Sequence, residues 1–301
     1  MLLRSRSHAR ARQSCSAFRS GAEIWRVSRA RCGALLVLAV LGVIGADVAP
    51  DPAHAQRLEA RYAVSMTGIP VGQSAWSVDL GGDAYSISAS GGAAGVLSIL
   101  MAGEGVVEAS GKVRNDRLVP VSFMSTGIED GEKVELKMTL EDGVATSVVF
   151  NGPPPGPDRV PLTDVHRRGV VDPLTALLLD YAGAGSAPAA TTCDRPLNVF
   201  DGRRRYDLLL SFNRIDQIAD KAYAGPLLVC NVVLRPIAGH RANSPIMKYI
   251  ASRRDMEIGF APISGTRLLA PFRLSVPTLL GTMAVQATQF EQQAAAATGA
   301  R

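Results

Sequence analysis

Leu58-Glu59-Ala60-Arg61-Tyr62-Ala63-Val64-Ser65-Met66 sets an apolar side chain at every second position and places Glu59, Arg61 and Ser65 between them. Successive side chains of an extended strand point to opposite faces, so this two-residue period predicts a strand with one face buried. The period recurs beyond the turn at Ile69-Pro70-Val71-Gly72: Trp76, Val78 and Leu80 alternate, Gly81-Gly82-Asp83 turns the chain again, and Tyr85, Ile87 and Ala89 continue. Consecutive strands joined by short turns form an antiparallel meander.

Further strands are predicted at Val106 to Val113 and Leu118 to Ser125. Val134, Leu136, Met138 and Leu140 alternate after a turn at Glu129-Asp130-Gly131, and Glu141-Asp142-Gly143 leads into Val144 to Phe150. Val96 to Met101, after the glycines at 91–95, fits a helical turn or a buried strand equally. The proline-rich run from Asn151 to Pro161 excludes regular structure and is taken as a loop within one domain, since both flanks are β meander. Ala182 to Ala190 is a loop of small residues. Leu227 to Leu234, Met256 to Phe260, Leu268 to Val276 and Met283 to Phe290 add strands, and Ser244 to Arg254 is ambiguous.

One helix is predicted after the proline-rich loop. Asp172 caps its first N–H groups, Pro173 takes the first helical position, Val171, Leu174, Leu177, Leu178 and Tyr181 make an apolar stripe, and Gly183 ends it. Such a stripe is core, or plugs the concave side of a curved sheet. The fold class is therefore mainly β, a large antiparallel curved sheet or open barrel with one or two short helices. The alternative is a sandwich of two sheets, because periodicity does not encode strand order.

The chain has 301 residues, 47% of them apolar, and a net charge of +5. Residues 1–55 hold eight arginines against Glu23, Asp47 and Asp51; removing these from the 32 basic and 27 acidic residues leaves 24 of each. A balanced remainder gives no support to a nucleic-acid surface. The first 55 residues are ordered as an export leader: a long basic region to Arg31, an apolar run from Gly33 to Gly45, and Ala53-His54-Ala55 as cleavage signal, with the cut between Ala55 and Gln56. The apolar run is too short to span a bilayer, so no membrane anchor remains after cleavage. Cys32 precedes the apolar run, the wrong place for lipid attachment. A start at Val27 would give a leader of ordinary length. Residues 56–290 are expected to form a single β-rich periplasmic domain, and 291–301 a disordered tail.

Cleavage also removes Cys15 and Cys32, and Cys193 and Cys230 remain in an oxidising compartment, the setting for one disulfide; two buried free thiols are the alternative. Between them Val199-Phe200-Asp201-Gly202-Arg203-Arg204-Arg205-Tyr206 predicts a hairpin with Asp201-Gly202 as a two-residue turn at positive φ. The second run continues through Leu208, Leu210 and Phe212. Strand alternation would point Arg204 opposite to Arg203 and Arg205. The cluster is a solvated hairpin edge, or Asp201, Arg203 and Arg205 bind a ligand, an arginine meeting an anionic head group at a cavity mouth.

His166 and His240 are the histidines beyond the leader, and neither lies in His-Glu-x-x-His. Cys193 and Cys230 lack the paired spacing of a zinc site, so no metal is expected. His166, beside Arg167 and Arg168, is expected in a solvated loop. Gly-x-Ser-x-Gly, Ser-x-x-Lys and nucleotide-binding glycine loops are absent, and no cofactor is expected.

The Gly68-Ile69-Pro70-Val71-Gly72 turn, Val171-Asp172-Pro173-Leu174, Cys193, and Val199 to Tyr206 together resemble domain of unknown function 3108 over roughly Leu58 to Phe290. The resemblance implies an exported bacterial protein whose large antiparallel sheet curls into an open barrel around helical elements, broadly similar to the periplasmic lipoprotein carriers. It implies no activity and carries over no catalytic residue. The leading expectation is a periplasmic, non-catalytic protein binding a lipid or other hydrophobic envelope ligand in a concave sheet. The alternatives are an assembly or scaffolding factor that binds an envelope protein, and a hydrolase of cell-wall or lipid substrates using Asp172 and Asp201.

Overall fold

The computed structural model describes residues 56–93, 105–115, 117–129, 132–181 and 188–294. The leader with Ala55, the run from Val96 to Met101, the turn residues Asp130 and Gly131, Gly183 and residues 295–301 lie outside them.

Seven strands follow one another as a meander: β1 (Gln56–Met66), β2 (Ile69–Leu80), β3 (Ala84–Ala93), β4 (Gly105–Arg114), β5 (Arg117–Glu129), β6 (Glu132–Glu141) and β7 (Val144–Asn151). After a long loop come the two-residue β8 (Leu179–Asp180), β9 (Pro196–Phe200), β10 (Arg205–Ala219) and β11 (Ala224–Ala238). One helix, α1 (Pro245–Ser252), precedes β12 (Met256–Pro262), β13 (Leu268–Thr278) and β14 (Gly281–Ala294).

Among the described residues all the strands belong to one antiparallel sheet, ordered β7-β6-β5-β4-β3-β2-β1-β14-β13-β12-β11-β10-β9, with β8 beside β13. The two-sheet sandwich therefore falls. The order follows from the N-terminal strand, which pairs with β2 on one side and with the last strand on the other, Val64 standing opposite both Gly72 and Val285. The alternation does what its period requires: Leu58, Ala60, Tyr62 and Val64 are buried on β1, and Val134, Leu136, Met138 and Leu140 on β6.

The ladder does not close into a barrel. It forks at β13, whose residues Arg273 to Thr278 pair with β14 while Leu268 and Leu269 pair with β8. At the fork the Tyr62 hydroxyl donates to the Pro271 carbonyl at 2.7 Å, and Tyr223, Phe272 and Phe290 pack ring to ring with centroids 5.5 to 5.9 Å apart. At the outer edges, the Val170 N–H donates to the Gly143 carbonyl before β7, and Val171 exchanges hydrogen bonds with Asn198 and Phe200 of β9.

Three expectations need correction. The helix predicted from Asp172 is a short 3-10 turn at Thr175–Leu177 followed by β8. Leu178 is already extended, and the Tyr181 N–H goes to the Arg267 carbonyl, so pairing with β13 takes the donors a helix would use. The helix instead forms in the ambiguous segment, where the Ser244 hydroxyl accepts from Met247 N–H and Pro245 opens the first turn. Asp201-Gly202 is not a two-residue turn: Phe200 pairs with Arg205, so Asp201 to Arg204 form a four-residue loop in which Gly202 alone has positive φ. Residues 291–294, assigned to the tail, are the end of β14.

Cys193 and Cys230 form a disulfide with Cα atoms 5.6 Å apart. Both are buried, and the bond ties the segment before β9 to β11 across β10, where the Leu210 N–H also donates to the Arg195 carbonyl. Closing a loop of 37 residues in the unfolded chain is worth about 3–4 kcal/mol. The Cys193→Ser/Cys230→Ser double variant is expected to lose that much stability in urea unfolding without change in its far-ultraviolet dichroism.

Candidate functional site

The concave side of the sheet encloses a cavity of about 300 Å³. Its wall is apolar because each strand turns its buried set inward: Val64 and Trp76 from β1 and β2, Phe123 and Leu136 from β5 and β6, Leu208, Val232, Ile258 and Phe260 from β10 to β12. Leu174 and Leu177 of the 3-10 turn and Met247 and Ile250 of α1 complete it. This volume is at the lower end of what small-molecule sites enclose.

Ser74, Ser125 and Arg273 are scattered on the wall, and its other polar groups gather at one part. Asp201, Arg203, Arg204, Arg205, Tyr206 and His240 all border the cavity. Alternation does not separate the arginines, because Arg203 and Arg204 lie in the loop and not on a strand. The loop is held from within: Asp201 Oδ1 accepts the N–H groups of Arg203 at 2.8 Å and Arg204 at 2.6 Å. The Arg203 guanidinium lies over the Phe150 ring, 4.1 Å from its centroid. Gly202 rests on Leu136, whose methyl carbons would stand 2.8 Å from any Cβ there. Arg205 Nη1 reaches Asp207 Oδ1 at 2.5 Å and the Tyr206 carbonyl at 2.7 Å. Burial pushes the Tyr206 phenol above its ordinary range, and nearby Asp201 adds to the shift. His240 is brought in by a pairing of distant segments, Val160 N–H to the His240 carbonyl and Gly239 N–H to the Val160 carbonyl. Its Nδ1 is buried and meets no hydrogen-bonding group of the protein, and burial lowers its pKa.

The three residues predicted to meet a ligand, Asp201, Arg203 and Arg205, are thus brought together at the cavity. Tyr206 and His240 escape sequence reasoning. Tyr206 reads as one more apolar strand position, and His240 has no motif around it; only the contact with residues 158–160 gives it a place. His166, expected in a solvated loop, is half-buried in the 3-10 turn Asp164–Arg167, its ring Nδ1 accepting the Thr163 N–H.

Asp172 is 0% exposed and lies behind the wall, outside the residues bordering the cavity. Oδ1 accepts the N–H groups of Leu174 at 3.0 Å and Thr175 at 2.9 Å, and the Thr175 hydroxyl is 2.8 Å from that of Tyr85. Oδ2 meets no hydrogen-bonding group of the protein. Desolvation pushes the carboxyl up to about 6 against these hydrogen bonds.

A mainly β chain, one large antiparallel sheet left open around an apolar cavity, defines an open-sheet class of protein. The sequence profile of the family described as protein of unknown function (DUF3108) matches residues 61–288, and the chain belongs to that family. No curated protein matches it. Among solved structures it is similar to a crystal structure of a β-barrel-like protein of domain of unknown function DUF1849 from Brucella abortus, at 8% identity and a TM-score of 0.42, covering 81% of this chain and 100% of that one.

The folded Asp172 carboxyl holds its proton to about pH 6, whereas the unfolded one releases it near 3.8, so the folded state binds more protons in between. Stability therefore falls as pH rises through that window, by about 3 kcal/mol for the full shift. Glu257 acts in the opposite sense: its hydrogen bond from Arg214 lowers its pKa, and that contribution is lost only at lower pH. Urea midpoints measured between pH 4.5 and 6.5 are expected to fall for the wild type but to level off or rise slightly for Asp172→Asn, where the lowered pKa of His240 acts in the opposite sense.

Proposed function

We propose that this chain is an exported, periplasmic protein that binds one amphipathic, lipid-class ligand, its apolar body in the cavity and its polar head at the Asp201–Tyr206 loop and His240. The observation that carries this is the composition of the wall: aliphatic and aromatic over most of its surface, with Arg203, Arg204 and Arg205 gathered at one place and Arg273 apart from them beside Asp216. Burial of apolar surface drives such binding, and charge-assisted hydrogen bonds fix the head. A head bearing a phosphate or carboxylate suits the three arginines, which border the cavity together. The leader-like order of the first 55 residues supports the compartment.

The hydrolase alternative has less to stand on. Asp172 lies behind the wall and Asp201 Oδ1 is already engaged by two backbone N–H groups. The scaffolding alternative draws on no feature of the cavity.

Native mass spectrometry of the protein purified from its own periplasm, with lipid extraction of the same sample, tests the proposal. The expected result is a bound species of lipid mass, reduced or lost in Leu208→Trp and in Val232→Trp, each of which extends a ring into the cavity. A bare chain mass together with no saturable uptake of an apolar fluorescent probe would reject ligand binding. Recovery in the cytoplasm would reject export.

A further inference from the structure

Two hairpin turns that stand side by side at one end of the sheet carry aliphatic side chains in water. Thr67-Gly68 joins β1 to β2, with Ile69 67% exposed and Val71 exposed beyond it; Leu279-Leu280 joins β13 to β14, 56% and 73% exposed. Tight turns favour Gly, Asn and Asp, which fit the backbone and face water, so two leucines there serve neither need. The turns are locked together. Met66 pairs with Met283, the Thr67 N–H donates to the Thr282 carbonyl at 2.8 Å, and Gly281, at φ +112, presses on the Thr67 hydroxyl so closely that a Cβ would collide with it. Thr278 stiffens the leucine turn, its hydroxyl donating to the Gly281 carbonyl at 2.7 Å and accepting from Leu280 N–H at 3.1 Å.

The surrounding chain is free of charge. No Asp, Glu, Lys or Arg lies between Arg61 and Asp79 or between Arg273 and Glu291, although 20% of the whole chain is charged. Both hairpin tips can therefore leave water without desolvating an ion. Basic groups stand at the same end: α1 packs on β11 and β13, and β12, which follows it, joins β13 with Glu257 opposite Ser275, three residues short of Thr278. Lys248 on α1 and Arg254 just after it are exposed, beside the ion pair of Arg253 with Asp255.

We propose that this end of the sheet is a membrane-contact surface, in which Ile69, Val71, Leu279 and Leu280 enter the boundary between head groups and acyl chains while Lys248 and Arg254 meet anionic head groups. Aliphatic tips beside basic residues have the chemistry of an interfacial anchor. Two rigid, exposed hairpin tips suit a fluid bilayer that closes around them, whereas a protein partner would need a matching pocket. The proposal stands whether or not the cavity holds a ligand.

Flotation of the protein purified from its own cells with vesicles of phosphatidylethanolamine and phosphatidylglycerol tests it. Wild type is expected to float with lipid, less so at high salt or on phosphatidylcholine. Leu279→Ser/Leu280→Ser should weaken partitioning by about tenfold or more, since burying one leucine is worth about that factor. Val149→Ser, an exposed aliphatic on β7, should leave it unchanged. If the double variant melts early, Ile69→Ser serves in its place. Wild type that stays with the aqueous fraction overturns the proposal, as does a tip variant that binds like wild type. So does a tip variant that loses a dimer or a co-purifying protein while lipid binding is absent throughout.

Discussion

An antiparallel sheet that curves but does not close leaves two edges whose N–H and C=O groups need partners, and the segment from Arg168 to Asp180 supplies several of them. It bonds to the carbonyl of Gly143 beside β7, exchanges hydrogen bonds with β9, turns through the residues capped by Asp172, and ends as β8 in the fork of β13. Unsatisfied edges invite pairing with other chains, so a segment that touches both edges and the fork protects the fold as well as completing it. The same segment turns Leu174 and Leu177 toward the cavity. Edge protection and cavity lining are thus one structural event, which places the buried Asp172 where both depend on it.

Asp172 shows what that event costs. A carboxylate sealed from water is unfavourable unless its lone pairs are used, and here Oδ2 has no partner in the protein while Oδ1 accepts two backbone N–H groups and the Thr175 hydroxyl stands beside the group. The raised pKa is the visible result. The two N–H groups belong to the first turn after a proline, where the backbone has donors without helical acceptors. An amide at this position would keep the Oδ1 contacts and remove the ionisation, which separates the capping role from the charge.

Most strands were legible because burial on one face imposes a period of two, and β1, β3 and β6 keep that period with little interruption. The segment after Asp172 was misread because its apolar spacing fits a helix locally, while the decisive partner, β13, lies almost ninety residues away. The loop at Asp201 was misread for a related reason. Asp-Gly fits a two-residue turn, but the packing of Gly202 on Leu136 and of Arg203 on Phe150 favours a wider loop laid against β6 and β7. Asp201, Arg203 and Arg205 were legible as a polar cluster, yet their common position at the cavity depends on that loop. His240 had no local signal at all, since its place is set by residues 158–160.

The cavity and the stability of the fold bear on each other. Apolar space that a protein's own side chains leave unfilled forfeits packing contacts, so a hollow of about 300 Å³ lowers stability even where part of it is open to water. Domains are stable by only about 5–15 kcal/mol, so lost packing of this kind matters to the fold. Filling it with larger side chains is the simple remedy, and the wall already contains residues such as Val64 and Val232 where a larger one would reach inward. The disulfide works against that cost by restricting the unfolded chain, and the long ladders of β10 with β11 and of β1 with its two neighbours add to it. A ligand that fits the space would recover the lost contacts and stabilise the fold by its own binding free energy, so ligand binding would appear directly as a rise in unfolding temperature.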